Sequence, residues 1–180
     1  MRNWATRAVG ELAHRRDEIN ALNVFPVPDS DTGSNMAHTM EAAVAELDNG
    51  GDVADSLALG AVRGARGNSG MVLSQVLRGV AESTVDSVID GDVFARSLQQ
   101  AVELVDRAIA EPVEGTVITV LKAAAEAADD AAEQSGATLH SIVSAAIAAA
   151  ETALERTPSQ LPALREAGVV DAGGAGLVIL

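Results

Sequence analysis

Asp29 and Asp31 sit one residue apart in the stretch "NVFPVPDSDTGSNM" (residues 23–36), between two prolines and a Thr-Gly-Ser-Asn turn. Two carboxylates so spaced on a stiff loop can hold a hard cation from one side and leave its other positions to water and phosphate oxygens, as Mg2+ is held at nucleotides. The same pair can be read as an Asx turn in which Asp31 caps a following helix. The pair alone leaves both readings open. A calcium loop of EF-hand type is excluded, because its sixth and twelfth positions, counted from Asp29, hold Ser34 and Met40 rather than glycine and glutamate.

The residues that follow add a second kind of chemistry. Thr32, Gly33, Ser34 and Asn35 fall where a helix should begin, and an uncapped helix start presents backbone N–H groups to an anion. A similar step recurs at Gly67, Asn68, Ser69 and Gly70, and a third at Asp171, Gly173, Gly174 and Gly176. Each alone is an ordinary turn or cap. Three of them plus a rigid acidic loop suggest a phosphate-binding rim at one end of a helix bundle. The chain has no Gly-x-x-x-x-Gly-Lys-[Ser/Thr], so this is not a P-loop site. His14, His38 and His140 form no i, i+4 ligand pair, and no Ser-His-Asp or Cys-His arrangement can be built.

The elements that must position these residues are helices. Of the 180 residues 48% are hydrophobic, mostly Ala, Val, Leu and Ile, and only 2% are aromatic, which suits one core of close-packed helices better than a sheet. Trp4, Ala8, Leu12, Ile19 and Leu22 predict an amphipathic helix over 2–22, ended by the proline cluster. Pro26 and Pro28 fix their own φ and bias Phe25 and Val27 toward extended backbone, so the acidic loop is stiff before anything binds. Further helices are predicted from just after Gly33 to about Asp48, over 53–64, after Gly70, over 92–110 and 114–133 around a break at "EPVEGT", and over 137–156. "TPSQLP" reads as a turn, and "LREAGVVDAGGAGLVIL" as a short helix, a Gly-rich loop and the start of another helix. The total is about eight.

The net charge of −14 repels a phosphate backbone and sets nucleic-acid binding aside. No stretch approaches the roughly 18 uncharged apolar residues of a membrane span, and the N-terminus is broken by charges every few residues. Absence of cysteine is compatible with the cytoplasm, the expected location. The apolar, uncapped end "GLVIL" suggests a chain cut from a longer protein.

Four segments, "LNVFPVPDSDTGSNM" (22–36), "GARGNSGMVLSQVLRG" (64–79), "EPVEGTVITV" (111–120) and "GVVDAGGAGL" (168–177), resemble in order the signature segments of the N-terminal domain of the bacterial fatty acid kinase catalytic subunit. That domain is related to the nucleotide-binding L domain of dihydroxyacetone kinase. The resemblance implies an all-α antiparallel up-and-down barrel spanning 1–180, with ATP or ADP bound at one rim through two Mg2+ ions. It makes Asp29 and Asp31 metal ligands, with Asn23 standing where the dihydroxyacetone kinase relatives have a third aspartate. Thr32, Gly33, Ser34 and Asn35 would contact phosphate, Asn68 and Ser69 the terminal phosphates, Gly115 and Thr116 the base or ribose, and Asp171, Ala172 and Gly173 a loop closing over the nucleotide. Ser30 stands where a glycine is common, and Ser34 where a threonine is. Asn68-Ser69 and Asp171-Ala172-Gly173 match the fatty acid kinase branch rather than the dihydroxyacetone kinase branch. The implied activity is phosphoryl transfer from ATP to a fatty acid carboxylate presented by a DegV-type binding protein, giving acyl phosphate. Downstream domains of the same chain would be partners, and a homodimer is left open. The alternative is a dihydroxyacetone kinase-type subunit that keeps ADP as a bound phosphotransfer cofactor.

Overall fold

The computed structural model describes all of residues 1–180. It is all-α: α1 (Arg2–His14), α2 (Arg16–Leu22), α3 (Thr32–Glu46) with a 3-10 turn at Leu47–Asn49, α4 (Val53–Gly64), α5 (Gly67–Ser83), α6 (Gly91–Ala108), α7 (Val117–Ala132), α8 (Leu139–Gln160), α9 (Pro162–Ala167) and α10 (Ala172–Ile179). No helix is long and apolar enough to cross a membrane.

There are ten helices rather than about eight; the first of three differences adds a helix and the other two move boundaries. The expected first helix is jointed at Arg15 (φ −95°, ψ 8°), although Arg15 N–H still donates to Glu11 O (2.9 Å) and Ile19 N–H to Arg15 O (3.0 Å) across the joint. The expected turn at "TPSQLP" is instead the last turn of α8, with Pro158 inside it. Proline lacks the N–H that would satisfy the carbonyl four residues back, here Leu154, and the Thr157 hydroxyl donates to that carbonyl instead (2.7 Å). Thr157 Oγ1 also accepts from Asp171 N–H (3.1 Å) and is fully buried. Thr157→Val should therefore cost about 2–3 kcal/mol by orphaning two backbone groups, and a loss below about 0.5 kcal/mol in urea unfolding would show that the hydroxyl is not what holds this corner.

The third difference is that Gly173, Gly174 and Gly176 lie within α10 rather than in a loop. Close packing explains them. A Cβ on Gly176 would collide with Met36 Sδ of α3, and one on Gly174 would come within 2.9 Å of Val120 Cγ2 of α7. Glycines therefore let α10 lie against α3 and α7 at once.

Helices α3 to α8 pack on their neighbours in chain order, and α10 packs on α7 and α8 on one side and on α1, α2 and α3 on the other. From α3 to α8 successive helices alternate in direction, so the starts of α3, α5, α7 and α10 gather at one end with the C-terminal end of α6. Leu12, Ile19, Met36, Met40, Leu57, Leu73 and Leu77 fill the core under α1 to α5. Small residues such as Ala124, Ala128, Ala146 and Ala150 pack between α7 and α8, so the alanine-rich segments are packed helix. Full burial of each Leu, Ile or Met side chain contributes roughly 1.5–3 kcal/mol.

Candidate functional site

The gathered helix starts frame a cleft of about 530 Å³. One wall is the α2–α3 loop (Asn23, Phe25, Pro26, Val27, Asp29 and Asp31), the floor is the beginnings of α3 and α5, and the other wall is the α6–α7 connection with the start of α10. Helix alternation thus brings together residues from positions 23 to 173.

The acidic wall is organised by asparagine rather than aspartate. Asn23 is buried, its Oδ1 accepts from the N–H groups of Asp31 (3.1 Å) and Thr32 (3.4 Å), and its Nδ2 donates to the carbonyls of Val27 (3.1 Å) and Phe25 (3.4 Å). Asn20 supplies the rest of the cap: its Oδ1 accepts from Ser34 N–H (3.1 Å) and its Nδ2 donates to Ser34 Oγ (3.0 Å). Asp31 occupies the N-cap position, yet its side chain makes no capping hydrogen bond. Asp29 and Asp31 are both exposed, and neither carboxylate is used by the protein's own hydrogen bonds or ion pairs. The Asx-cap reading of the pair is therefore not what the loop does with it. Between them Ser30 adopts φ +54°, the left-handed region, which is the physical reason a glycine suits that position in the proteins the loop resembles.

The helix starts differ in the amides they leave free. At α3 the amides of Thr32 and Ser34 are taken by Asn23 and Asn20. At α5 no side chain caps the end, so the first-turn amides of Gly67, Asn68 and Ser69 are free where these residues line the cleft. Gly67 needs to be glycine here, because its φ is +60° and a Cβ would come within 2.6 Å of Asn35 Nδ2. At α10 the start is capped by Asp171, which accepts from Gly174 N–H (2.7 Å).

Asp171 has a displaced titration. Burial raises its pKa to about 6, against the opposing pull of the backbone amides of Gly174, Val117 and Gly173. A carboxyl raised above its unfolded value of 3.8 holds a proton in the native state that the unfolded chain has released. Its contribution to stability is thus complete below that unfolded value and is lost as pH climbs through about 6. Asp171→Asn keeps an acceptor for Gly174 and removes the titration, so it should flatten the pH dependence of unfolding free energy between about pH 4 and 7 by about 3 kcal/mol. Identical wild-type and variant slopes in urea unfolding across that range would contradict this.

Of the residues singled out from sequence, Asn23, Asp29, Asp31, Thr32, Asn35, Asn68, Ser69, Thr116, Asp171 and Gly173 line the cleft. Gly33, Ser34, Gly115 and Ala172 do not. Gly33 is packed against the Arg16 carbonyl of α2, Ser34 is turned to Asn20, Gly115 (φ +80°) lies on Gln160 and Leu161, and Ala172 is in the core. Sequence reasoning missed the cleft's apolar wall residues Ile109, Ala110 and Val113, and it missed Glu111. Their signal was the break at "EPVEGT", a connection that carries apolar side chains in place of the usual polar ones. No three His, Cys, Asp or Glu side chains come together to hold a metal ion unaided. The two loop carboxylates nevertheless fit Mg2+, which is usually held by one or two carboxylates with water and phosphate completing its shell.

Residues 26–180 match the DAK2 domain. The chain belongs to the DAK2 domain family. An uncharacterized protein of Staphylococcus saprophyticus is 41% identical over 175 residues, covering 94% of this chain and 32% of that protein. An uncharacterized protein of Staphylococcus aureus strain USA300 is 40% identical over 173 residues, covering 93% of this chain and 31% of that protein. The chain thus spans about a third of the length of these curated relatives. DAK2 domains are associated with kinase or phosphotransfer activity and bind nucleotide in kinase systems. In this DAK2 domain the cleft at the gathered helix starts combines unused carboxylates with an uncapped helix end.

Proposed function

We propose that the cleft binds ATP as its Mg2+ complex and provides the phosphoryl donor of a fatty acid kinase. The acyl carboxylate would be presented by a separate DegV-type binding protein, and acyl phosphate would be the product. The observation that carries this reading is that Asp29 and Asp31 are held by asparagine-made scaffolding yet have no partner of their own, within the same cleft as the free amides at the start of α5.

Asp29 and Asp31 would hold two Mg2+ ions from the wall of the cleft. Bound there, the ions would spread the charge that develops on the β- and γ-phosphate oxygens. The amides of Gly67, Asn68 and Ser69, with the Asn68 and Ser69 side chains, would orient the terminal phosphates. Thr116 and the apolar wall at Ile109 and Val113 would face the rest of the nucleotide and exclude water. A carboxylate acceptor suits this lining, because it is already a nucleophile at neutral pH and needs no general base, and none of the three histidines lines the cleft.

The match to the DAK2 domain also favours a second reading, a subunit that retains ADP as a phosphotransfer cofactor. Release of bound ADP separates the two: a cofactor-type site lets it go over hours, a kinase site on the timescale of turnover. The test of the first reading is calorimetric titration of ATP into this chain with and without Mg2+, followed by an acyl-phosphate assay with a fatty-acid-loaded binding protein. Mg2+-dependent ATP binding, with acyl phosphate formed once the remainder of the longer protein is supplied, is the expected result. Absence of ATP binding in Mg2+ would remove both readings.

A further inference from the structure

We propose that Glu111 makes the cleft discriminate metal-complexed phosphate ligands from free ones. This rests on the Mg2+–nucleotide reading of the cleft. The ionisable residues lining the cleft are Asp29, Asp31, Glu111 and Asp171, all acids. A polyphosphate entering without cations meets no lysine, arginine or histidine side chain of the lining to offset these like charges, only the free amides at the start of α5.

The four acids are not equivalent. Asp29 and Asp31 are neutralised by whatever cation they hold, and Asp171 is buried and committed to the amide of Gly174. Glu111 has neither fate. It is exposed and takes part in none of the protein's hydrogen bonds or ion pairs, whereas its neighbour Glu114 is fixed by Thr119 Oγ1 (2.7 Å). Pro112 biases Glu111 toward extended backbone and stiffens the short connection between Ala108 and Val117. Ile109, Ala110 and Val113 flank it on the same wall, so no cation of the lining stands beside it. Its negative charge persists after the metals are bound. Free ATP, with about four negative charges, is repelled by it, and ATP neutralised by two Mg2+ ions is not.

The experiment measures ATP and ADP affinities of the wild type, Glu111→Gln and Glu111→Lys, each in saturating Mg2+ and in EDTA, at low and high NaCl, with circular dichroism to confirm unchanged helicity. The expected result is Mg2+–ATP affinity within about threefold of wild type in both variants. The ratio of Mg2+-bound to Mg2+-free affinity should fall about 10-fold or more in Glu111→Lys, less in Glu111→Gln, and the difference should shrink at high salt. A ratio that does not fall in Glu111→Lys overturns the proposal and leaves the nucleotide reading standing. So does loss of Mg2+–ATP binding by folded Glu111→Gln, which would make Glu111 a ligand of the complex. A wild type that binds no Mg2+–ATP overturns the nucleotide reading, and this proposal with it.

Discussion

Asp31→Ala should lose Mg2+-dependent ATP binding by at least about 100-fold, or about 3 kcal/mol, while its helicity and unfolding midpoint stay close to wild type. The two halves of this expectation come from one observation. Asp31 stands at the N-cap of α3, where an aspartate that capped the helix would lose about 1 kcal/mol on truncation. Its side chain makes no such bond, and the α3 amides are satisfied by Asn20 and Asn23 instead. The carboxylate is therefore structurally idle, and deleting it removes only what it would do for a ligand. Asp29→Ala should behave alike. Calorimetry with and without Mg2+, paired with urea unfolding, reads both quantities. Unchanged ATP affinity in Mg2+ would sink the metal role, and a stability loss of a kcal/mol or more would return Asp31 to the role of a cap.

Asn23→Ala should produce the opposite pattern, with stability falling by about 2–4 kcal/mol and nucleotide binding falling with it. Truncation strips acceptors from the amides of Asp31 and Thr32 and a donor from the carbonyls of Val27 and Phe25, in a buried position where water does not readily replace them. A residue that served only as a third metal ligand would instead lose Mg2+–ATP affinity at constant stability. Asn23→Asp sharpens the contrast, because it keeps an acceptor for the two amides but aims charge at two carbonyls. It should regain part of the lost stability without exceeding wild-type Mg2+–ATP affinity. Tighter binding by Asn23→Asp would mean that a third carboxylate at this position can reach the metals after all.

Most helices were legible in the sequence, because apolar spacing is a local signal. The misses were places where a distant partner decided the outcome. Pro158 reads as a helix breaker unless the Thr157 hydroxyl is known to serve the Leu154 carbonyl. Gly173, Gly174 and Gly176 read as a loop unless Met36 and Val120 are known to press against them. The cleft was legible as motifs at Asp29, Asp31, Asn68, Ser69 and Asp171, since each is a short pattern with its own chemistry. What the motifs could not convey was the division of labour. Nothing local says that α3 is capped from Asn20 and Asn23 and α5 by nothing, which separates a wall of idle carboxylates from a floor with free amides. Glu111 was overlooked because nothing in the sequence of the "EPVEGT" break says that this connection faces the acidic loop across a cleft.

The position of α10 bears on how the site comes into being. This last helix lies between α7 and α8 on one side and α1, α2 and α3 on the other, and its cap residue Asp171 is part of the cleft wall. During synthesis α3 to α8 can pair in the order in which they emerge, each against a neighbour already made. Until α10 arrives, Met36 of α3 and Val120 of α7 lack the glycine faces of Gly176 and Gly174 that they pack against. A chain ending before Asp171 would thus carry every loop motif of the first 120 residues and still lack the wall that Asp171 and Gly173 give the cleft, so that the cleft takes its shape only once α10 has been made.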